Sequence, residues 1–189
     1  MNKFTVAVLS SSNGGNFCSL IKAQKEHGFT INCLIVDRAC GAINHALSNN
    51  IPVCCLQSSK ITLAKALINS IPPSTDLIVL AGFLNLIPPE ICFLWKNKII
   101  NIHPSLLPKF GGKGMYGKKV HECVMEAGEK FSGCTVHFVT PDIDAGEIIL
   151  QEKIPVNYAE TPWQLGGRVF ELESKLIVDA VQLMKSQCC

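Results

Sequence analysis

The run Asp76-Leu77-Ile78-Val79-Leu80-Ala81 carries no polar residue after its first. A half-solvated strand alternates apolar and polar residues, whereas a parallel strand covered on both faces does not, so this run reads as a fully buried parallel strand. It belongs to a series. Residues 4–9, 31–36 and 52–56 are short β-rich apolar runs, and helical stretches separate them: one from the turn at residue 16 to about Lys25, one over 42–48, and one over 61–69 closed by Pro72-Pro73. A short helix over 90–95 then leads to a strand over 98–102, which Pro104 stops. Strands alternating with helices for this long specify an α/β fold with a mostly parallel sheet, and right-handed crossovers decide which face each helix covers.

The later chain changes character. Residues 118–127 read as a helix with His121 as a structural side chain, and 134–140 alternate as a strand with His137 in the middle. The turn Pro141-Asp142-Ile143-Asp144-Ala145-Gly146 leads into a strand over 148–156, so these two strands form an antiparallel hairpin at one edge of the sheet. Thr161-Pro162-Trp163 caps a long helix to about Met184, with Leu165, Val169, Leu172, Leu176 and Val181 as its buried stripe and Glu173 off that stripe.

With 189 residues, 48 % hydrophobic and 17 % charged, the chain can close one domain over 1–189 around a single core. Its net charge of +2 is spread along the chain, which argues against nucleic-acid or membrane-surface partners while leaving a small acidic ligand possible. No run reaches the roughly 20 apolar residues of a membrane span, and the first residues lack the pattern of a signal peptide, so a cytoplasmic protein is expected. Ten cysteines lie at irregular spacing, most inside apolar runs, with no Cys-x-x-Cys pair; they read as small core hydrophobes, and no metal is expected. Cys188-Cys189 is not a Cys-a-a-X lipidation box.

Three places carry chemistry. Asn101 and His103 are two apart at a strand's carboxyl end, on one face, where open α/β sheets bind ligands. Ser12-Asn13-Gly14-Gly15-Asn16 lies between a strand and a helix, and such a turn offers free N–H groups to an anion, or else merely caps the helix. It fits neither a Walker loop nor Gly-x-Gly-x-x-Gly, so Asp37 reads as a turn residue rather than a ribose ligand. The apolar loop of residues 82–89 is either core or one wall of a crevice for a flat ring, and residues 109–117, with four glycines, are a candidate lid or substrate loop. Asp144 is a natural partner for an imidazole, unless it only bonds its own turn. An amide N–H, an imidazole and a carboxylate together suit direct acyl transfer to an amine: the first two stabilise an oxyanion, and the aspartate keeps the ring protonated or relays a proton through water.

Asn101-Ile102-His103-Pro104-Ser105-Leu106-Leu107-Pro108, residues 133–139 (Gly-Cys-Thr-Val-His-Phe-Val) and Asp144-Ala145-Gly146-Glu147-Ile148-Ile149-Leu150-Gln151 resemble the folate-dependent formyltransferases over nearly the whole chain. With the early Ser12-to-Asn16 turn, the likeness is to the branch that formylates glycinamide ribonucleotide in purine biosynthesis. The resemblance implies a Rossmann-like single domain, with nucleotide phosphate held by the amino-terminal half and folate by the carboxyl-terminal half. It implies Asn101, His103 and Asp144 as the catalytic trio. Ser12, Asn13, Gly14, Gly15, Asn16 and Glu173 would hold the ribonucleotide, Glu173 at its ribose. Leu84, Asn85, Leu86, Ile87, Val139, Asp142 and Ile143, with Asn101 and Asp144, would hold the pterin of 10-formyltetrahydrofolate, the co-substrate. Partners would be these small molecules alone, in a monomer or homodimer. Asn85 stands where relatives often have Arg, and residues 111–120 are longer and richer in glycine than in relatives. Formyltetrahydrofolate hydrolase and a non-catalytic nucleotide-binding module remain as alternatives. A methionyl-tRNA formyltransferase would need a further domain and a basic surface.

Overall fold

The computed structural model describes residues 3–56 and 62–188. Its strands are β1 (Phe4–Ser10), β2 (Phe29–Val36), β3 (Val53–Cys55), β4 (Leu77–Leu80), β5 (Ile99–His103), β6 (Phe131–Phe138) and β7 (Ile148–Pro155). Its helices are α1 (Gly15–Ala23), α2 (Ala42–Ser48), α3 (Leu63–Ser70), α4 (Pro89–Leu94), α5 (Lys118–Glu126) and α6 (Pro162–Gln187). The start expected for the third helix, Ile61, lies outside the described residues. No described helix is long and apolar enough to cross a membrane.

The strands form one sheet in the order β3-β2-β1-β4-β5-β6-β7. The first five run parallel, and β6 and β7 add an antiparallel edge, as the sequence leads one to expect. β6 begins at Phe131 rather than Cys134, because Phe131, Ser132 and Gly133 find partners in Pro155, Ile154 and Lys153. Gly133 is required there: a Cβ would lie 2.0 Å from the carbonyl oxygen of Glu152.

Alternation along the strands feeds two cores. Val6, Val8, Val79, Ile100 and Val136 pack with α1, α2, α5 and α6 on one face, while Ala7, Leu9, Ile35, Ile78 and Ile99 pack with α3 and α4 on the other. That division follows from the winding. The chain runs outward from β1 to β3, then crosses back to β4, and a right-handed crossover in the reversed direction puts its helices on the opposite face. Between β1 and β4 the direction switches, and a crevice opens at their carboxyl ends. Two hydrogen bonds join the loops that flank it: Ser11 N donates to Gly82 O at 3.0 Å, and Leu84 N donates to Ser11 Oγ at 2.9 Å.

Helix α6 packs against β6, β7, α1 and α5. Its amino end is closed by a reciprocal cap, with Gln164 N donating to Thr161 Oγ1 at 3.3 Å and Thr161 N donating to Gln164 Oε1 at 2.8 Å. Gly166 and Gly167 cost roughly 1 kcal/mol each inside a helix. A single fully buried Leu or Val contributes about 1.5–3 kcal/mol, and Leu165, Val169 and Val181 are among several buried here, so the stripe outweighs the glycines. Glu173 corrects the expectation that it lies off the stripe. It is 8 % exposed, four residues from Val169 and eight from Leu165, and so faces inward with them. Leu172, expected on the stripe, is only partly buried.

Candidate active site

A cavity of about 700 Å³ opens at the carboxyl ends of β1, β4 and β5. Asn101 and His103 project into it from β5, and His137 joins them from β6. Antiparallel pairing sets Asn101 directly opposite His137, so the two side chains share a face. Asn101 Nδ2 and His137 Nε2 are 3.1 Å apart, and His137 Nδ1 is 2.9 Å from Phe138 O. A carbonyl only accepts, which puts the ring proton on Nδ1 and leaves Nε2 to accept from the Asn101 amide. Burial pushes His137 below its ordinary range and so favours this neutral form. Asn101 is thereby oriented, with one Nδ2–H spent on the ring and the other free.

His103, 5 % exposed, is held in the same way. Its Nε2 donates to Phe110 O at 2.9 Å, so Nδ1 is the nitrogen turned toward Asp144, whose Oδ2 lies 3.7 Å away. The other oxygen of Asp144 is 3.7 Å from His137 Nε2. Asp144 thus stands between two imidazoles, beyond direct hydrogen-bond distance of both. Its hydrogen bond comes from another loop, where Gly112 N donates to Oδ2 at 2.8 Å, and not from its own turn. It has φ 52°, a left-handed conformation that aspartate tolerates better than most residues. Behind this group, Thr135 pairs with His103 across the strands; its hydroxyl donates to Ser105 O at 2.6 Å and accepts from Leu107 N at 3.1 Å, fixing the chain just after His103.

Ser12, Gly15 and Asn16 line one part of the cavity; Asn13 and Gly14 do not. Gly14, with φ 81°, caps α1 without a side-chain bond, and a Cβ there would sit 2.8 Å from Ala42 Cα. A Cβ on Gly15 would fall 2.3 Å from the ring of Phe170. Asn16 Nδ2 donates to Glu173 Oε2 at 2.8 Å, and Asn16 Oδ1 is buried without a partner. Burial raises the Glu173 carboxyl to about 7, against the smaller opposing effect of the Asn16 bond.

The other part is apolar. Leu84, Leu86, Ile87, Val139 and Ile143 line it together with Asn85 and Asp142. Asn85 is not free, since its Nδ2 donates to Asp37 Oδ2 at 2.7 Å and ties this loop to the end of β2.

All the residues expected at the site, apart from Asn13 and Gly14, therefore line one cavity. His137 and Phe170, which the sequence does not mark as site residues, also line the cavity, as do Lys113 of the expected loop at 109–117 and His121, which the sequence reads as structural. The signal for His137 was present: Thr135 and His137 are polar at alternate positions of a strand, and both prove buried. His121, also buried, lines the cavity, with its ring in space left by Gly166, where a Cβ would be 2.8 Å from Cδ2. Burial holds it below its ordinary range, with the nearby His103 a smaller influence, and its Nδ1 has no partner. Among the described residues no group of three or more His, Cys, Asp or Glu side chains is placed to hold a metal ion.

A sequence profile of the formyl transferase family matches residues 4–181. A chloroplastic phosphoribosylglycinamide formyltransferase of Vigna unguiculata is 39 % identical over 95 % of this chain and 60 % of its own length. The trifunctional purine biosynthetic protein adenosine-3 of Bos taurus is 37 % identical over 97 % of this chain, which spans 18 % of that protein. Among solved structures, the phosphoribosylglycinamide formyltransferase of Anaplasma phagocytophilum superposes with a TM-score of 0.87 at 33 % identity, covering 98 % of this chain and 89 % of that one. With its sequence match and its fold in agreement, the chain belongs to the formyl transferase family.

Proposed function

We propose that this protein transfers the formyl group of 10-formyltetrahydrofolate to the amine of glycinamide ribonucleotide, a step of purine biosynthesis. The observation that carries this reading is that one cavity combines an apolar wall, an anion-ready helix start and the Asn101, His103, Asp144 group. The names of the relatives agree with it. The pterin, a flat heteroaromatic ring, suits the aliphatic walls of Leu84, Leu86, Ile87 and Val139, with loop backbone at its polar edge. The ribonucleotide suits the opposite part, its phosphate against the N–H groups that start α1 and its ribose against Glu173 and the unpartnered Asn16 Oδ1.

In this reading the amine attacks the formyl carbon, a C–N bond forms, and the carbonyl oxygen becomes an oxyanion. The free Nδ2–H of Asn101 and a protonated Nδ1 of His103 stabilise it. The attacking nitrogen becomes an ammonium and must lose a proton. Asp144 is the acceptor, and its 3.7 Å gap to His103 Nδ1 leaves room for bridging by the substrate or a water. The bond from the formyl carbon to the folate nitrogen then breaks, and that nitrogen takes up the proton. His137 stays neutral throughout and fixes Asn101. No serine or cysteine is needed as a nucleophile.

The test is 10-formyltetrahydrofolate consumption, followed spectrophotometrically with glycinamide ribonucleotide and, separately, with water as the only acceptor. Consumption that requires the ribonucleotide is expected. Equal consumption with water alone would replace the transferase by a hydrolase, and none under either condition would leave a binding module.

A further inference from the structure

A phosphate dianion drawn into a cavity is held more strongly where positive charge adds to the N–H donors. Asp142, Asp144 and Glu173 line this cavity, and among the described residues Lys113 is the one lysine or arginine in its wall. Lys113 is exposed and takes part in none of the ion pairs formed among the described residues. It also occupies a telling position in the chain. Two residues of the same segment hold the catalytic side chains by their backbone: Phe110 O accepts from His103 Nε2 at 2.9 Å, and Gly112 N donates to Asp144 Oδ2 at 2.8 Å. Lys113 follows Gly112 directly, so force on its ammonium reaches the peptide that bonds Asp144.

The segment is packed at one end and open at the other. A Cβ at Gly111 would lie 2.5 Å from Leu107 Cδ2 and 3.2 Å from Asp144 Cβ, which keeps the backbone close to the catalytic aspartate. Gly112 and Gly117, with φ 93° and 59°, have nothing within 4 Å of a Cβ.

We infer that Lys113 is a positioning and specificity residue: its ammonium pairs with the phosphate of a phosphomonoester acceptor, and that pairing holds the Phe110–Gly112 backbone in the place where it already bonds His103 and Asp144. Binding energy from a remote group would thereby be used at the reacting centre. The kinetic half of this inference rests on the proposed formyl transfer; the phosphate half does not.

Two measurements separate them. Calorimetry with ribose 5-phosphate and with ribose, on wild type, Lys113→Ala and Lys113→Arg, reads the phosphate contact alone. Lys113→Ala should weaken ribose 5-phosphate by roughly tenfold to a hundredfold, as loss of a hydrogen bond to a charged group does, while ribose is unchanged and Lys113→Arg keeps most of the affinity. Unchanged affinity of Lys113→Ala for ribose 5-phosphate would overturn the inference. Turnover of the dephosphorylated acceptor, with and without added phosphite, then reads the coupling. Phosphite should accelerate wild type and not Lys113→Ala, and with glycinamide ribonucleotide the variant should lose kcat as well as gain KM. A change in KM alone would overturn the positioning role. A wild type that binds ribose 5-phosphate through Lys113 but formylates nothing would uphold the phosphate contact and remove the activity reading instead.

Discussion

The two parts of the cavity are built on opposite principles. The part beside β4 is a loop of exposed aliphatic side chains, Leu84 at 48 % and Leu86 at 64 % exposure, anchored from behind by Ser11 and Asp37. The part beside α1 buries Asn16 and Glu173, joined by one hydrogen bond, and leaves Asn16 Oδ1 without a partner. Exposed aliphatic side chains cost little while they stay in water, whereas buried polar groups must have their donors and acceptors held in place by the fold. Asn101, His103 and Asp144 belong to neither part. They are polar, largely buried, and oriented by backbone groups of the 110–112 segment and by His137.

The largest effect should come from this central group, which both parts serve. His103→Ala and Asn101→Ala should each lower kcat by about a hundredfold to a thousandfold, the usual consequence of removing an oxyanion donor, with the fold retained as judged by circular dichroism. Near-normal turnover in either variant would take that residue out of the reaction.

Gly15→Val separates the two parts. Its side chain would be driven into the Phe170 ring, where even a Cβ falls 2.3 Å away. We expect KM for the ribonucleotide to rise by at least roughly tenfold, the worth of about 1.4 kcal/mol, while KM for the folate stays within error. A parallel rise in both constants would mean that the two parts are one site.

Glu173→Gln probes the buried polar part through pH. Burial raises the carboxyl from 4.5 to about 7, so the folded protein keeps a proton that the unfolded chain releases between those values. The stabilisation linked to that proton is complete below 4.5 and disappears as pH rises through about 7. Glutamine does not titrate. Wild type should therefore lose up to roughly 3 kcal/mol relative to the variant between about pH 4 and pH 8, read from urea midpoints at both values. A constant difference between the two proteins would show that Glu173 titrates like an exposed acid.

The smallest effect belongs to the apolar part. Because Leu86 is 64 % exposed, Leu86→Ser should leave the melting temperature almost unchanged. KM for the folate should rise about three- to tenfold for the methyl groups lost, and KM for the ribonucleotide should not move. A fall in stability without a change in KM would assign Leu86 to the fold rather than to the ligand.

The sequence alone determined the α/β class, the parallel order broken by an antiparallel hairpin, and the placement of Asn101 and His103 at a strand's carboxyl end. Those features are local: apolar periodicity, turn residues and proline act within a few positions along the chain. The apolar wall and the α1 start could be read for the same reason. Only the tertiary structure decided which side chains meet. Glu173, read from the sequence as lying off its helix's stripe, has the stripe's spacing from Val169, and Asn16, 157 residues away, supplies its hydrogen bond. His137 acquires its role from the register of β5 with β6, which sets it opposite Asn101. Phe110 and Gly112 act through their backbone, and a main-chain carbonyl or N–H carries no mark in the sequence. Strand register, helix rotation and loop approach are fixed by packing between distant segments, and those three set the geometry of this site.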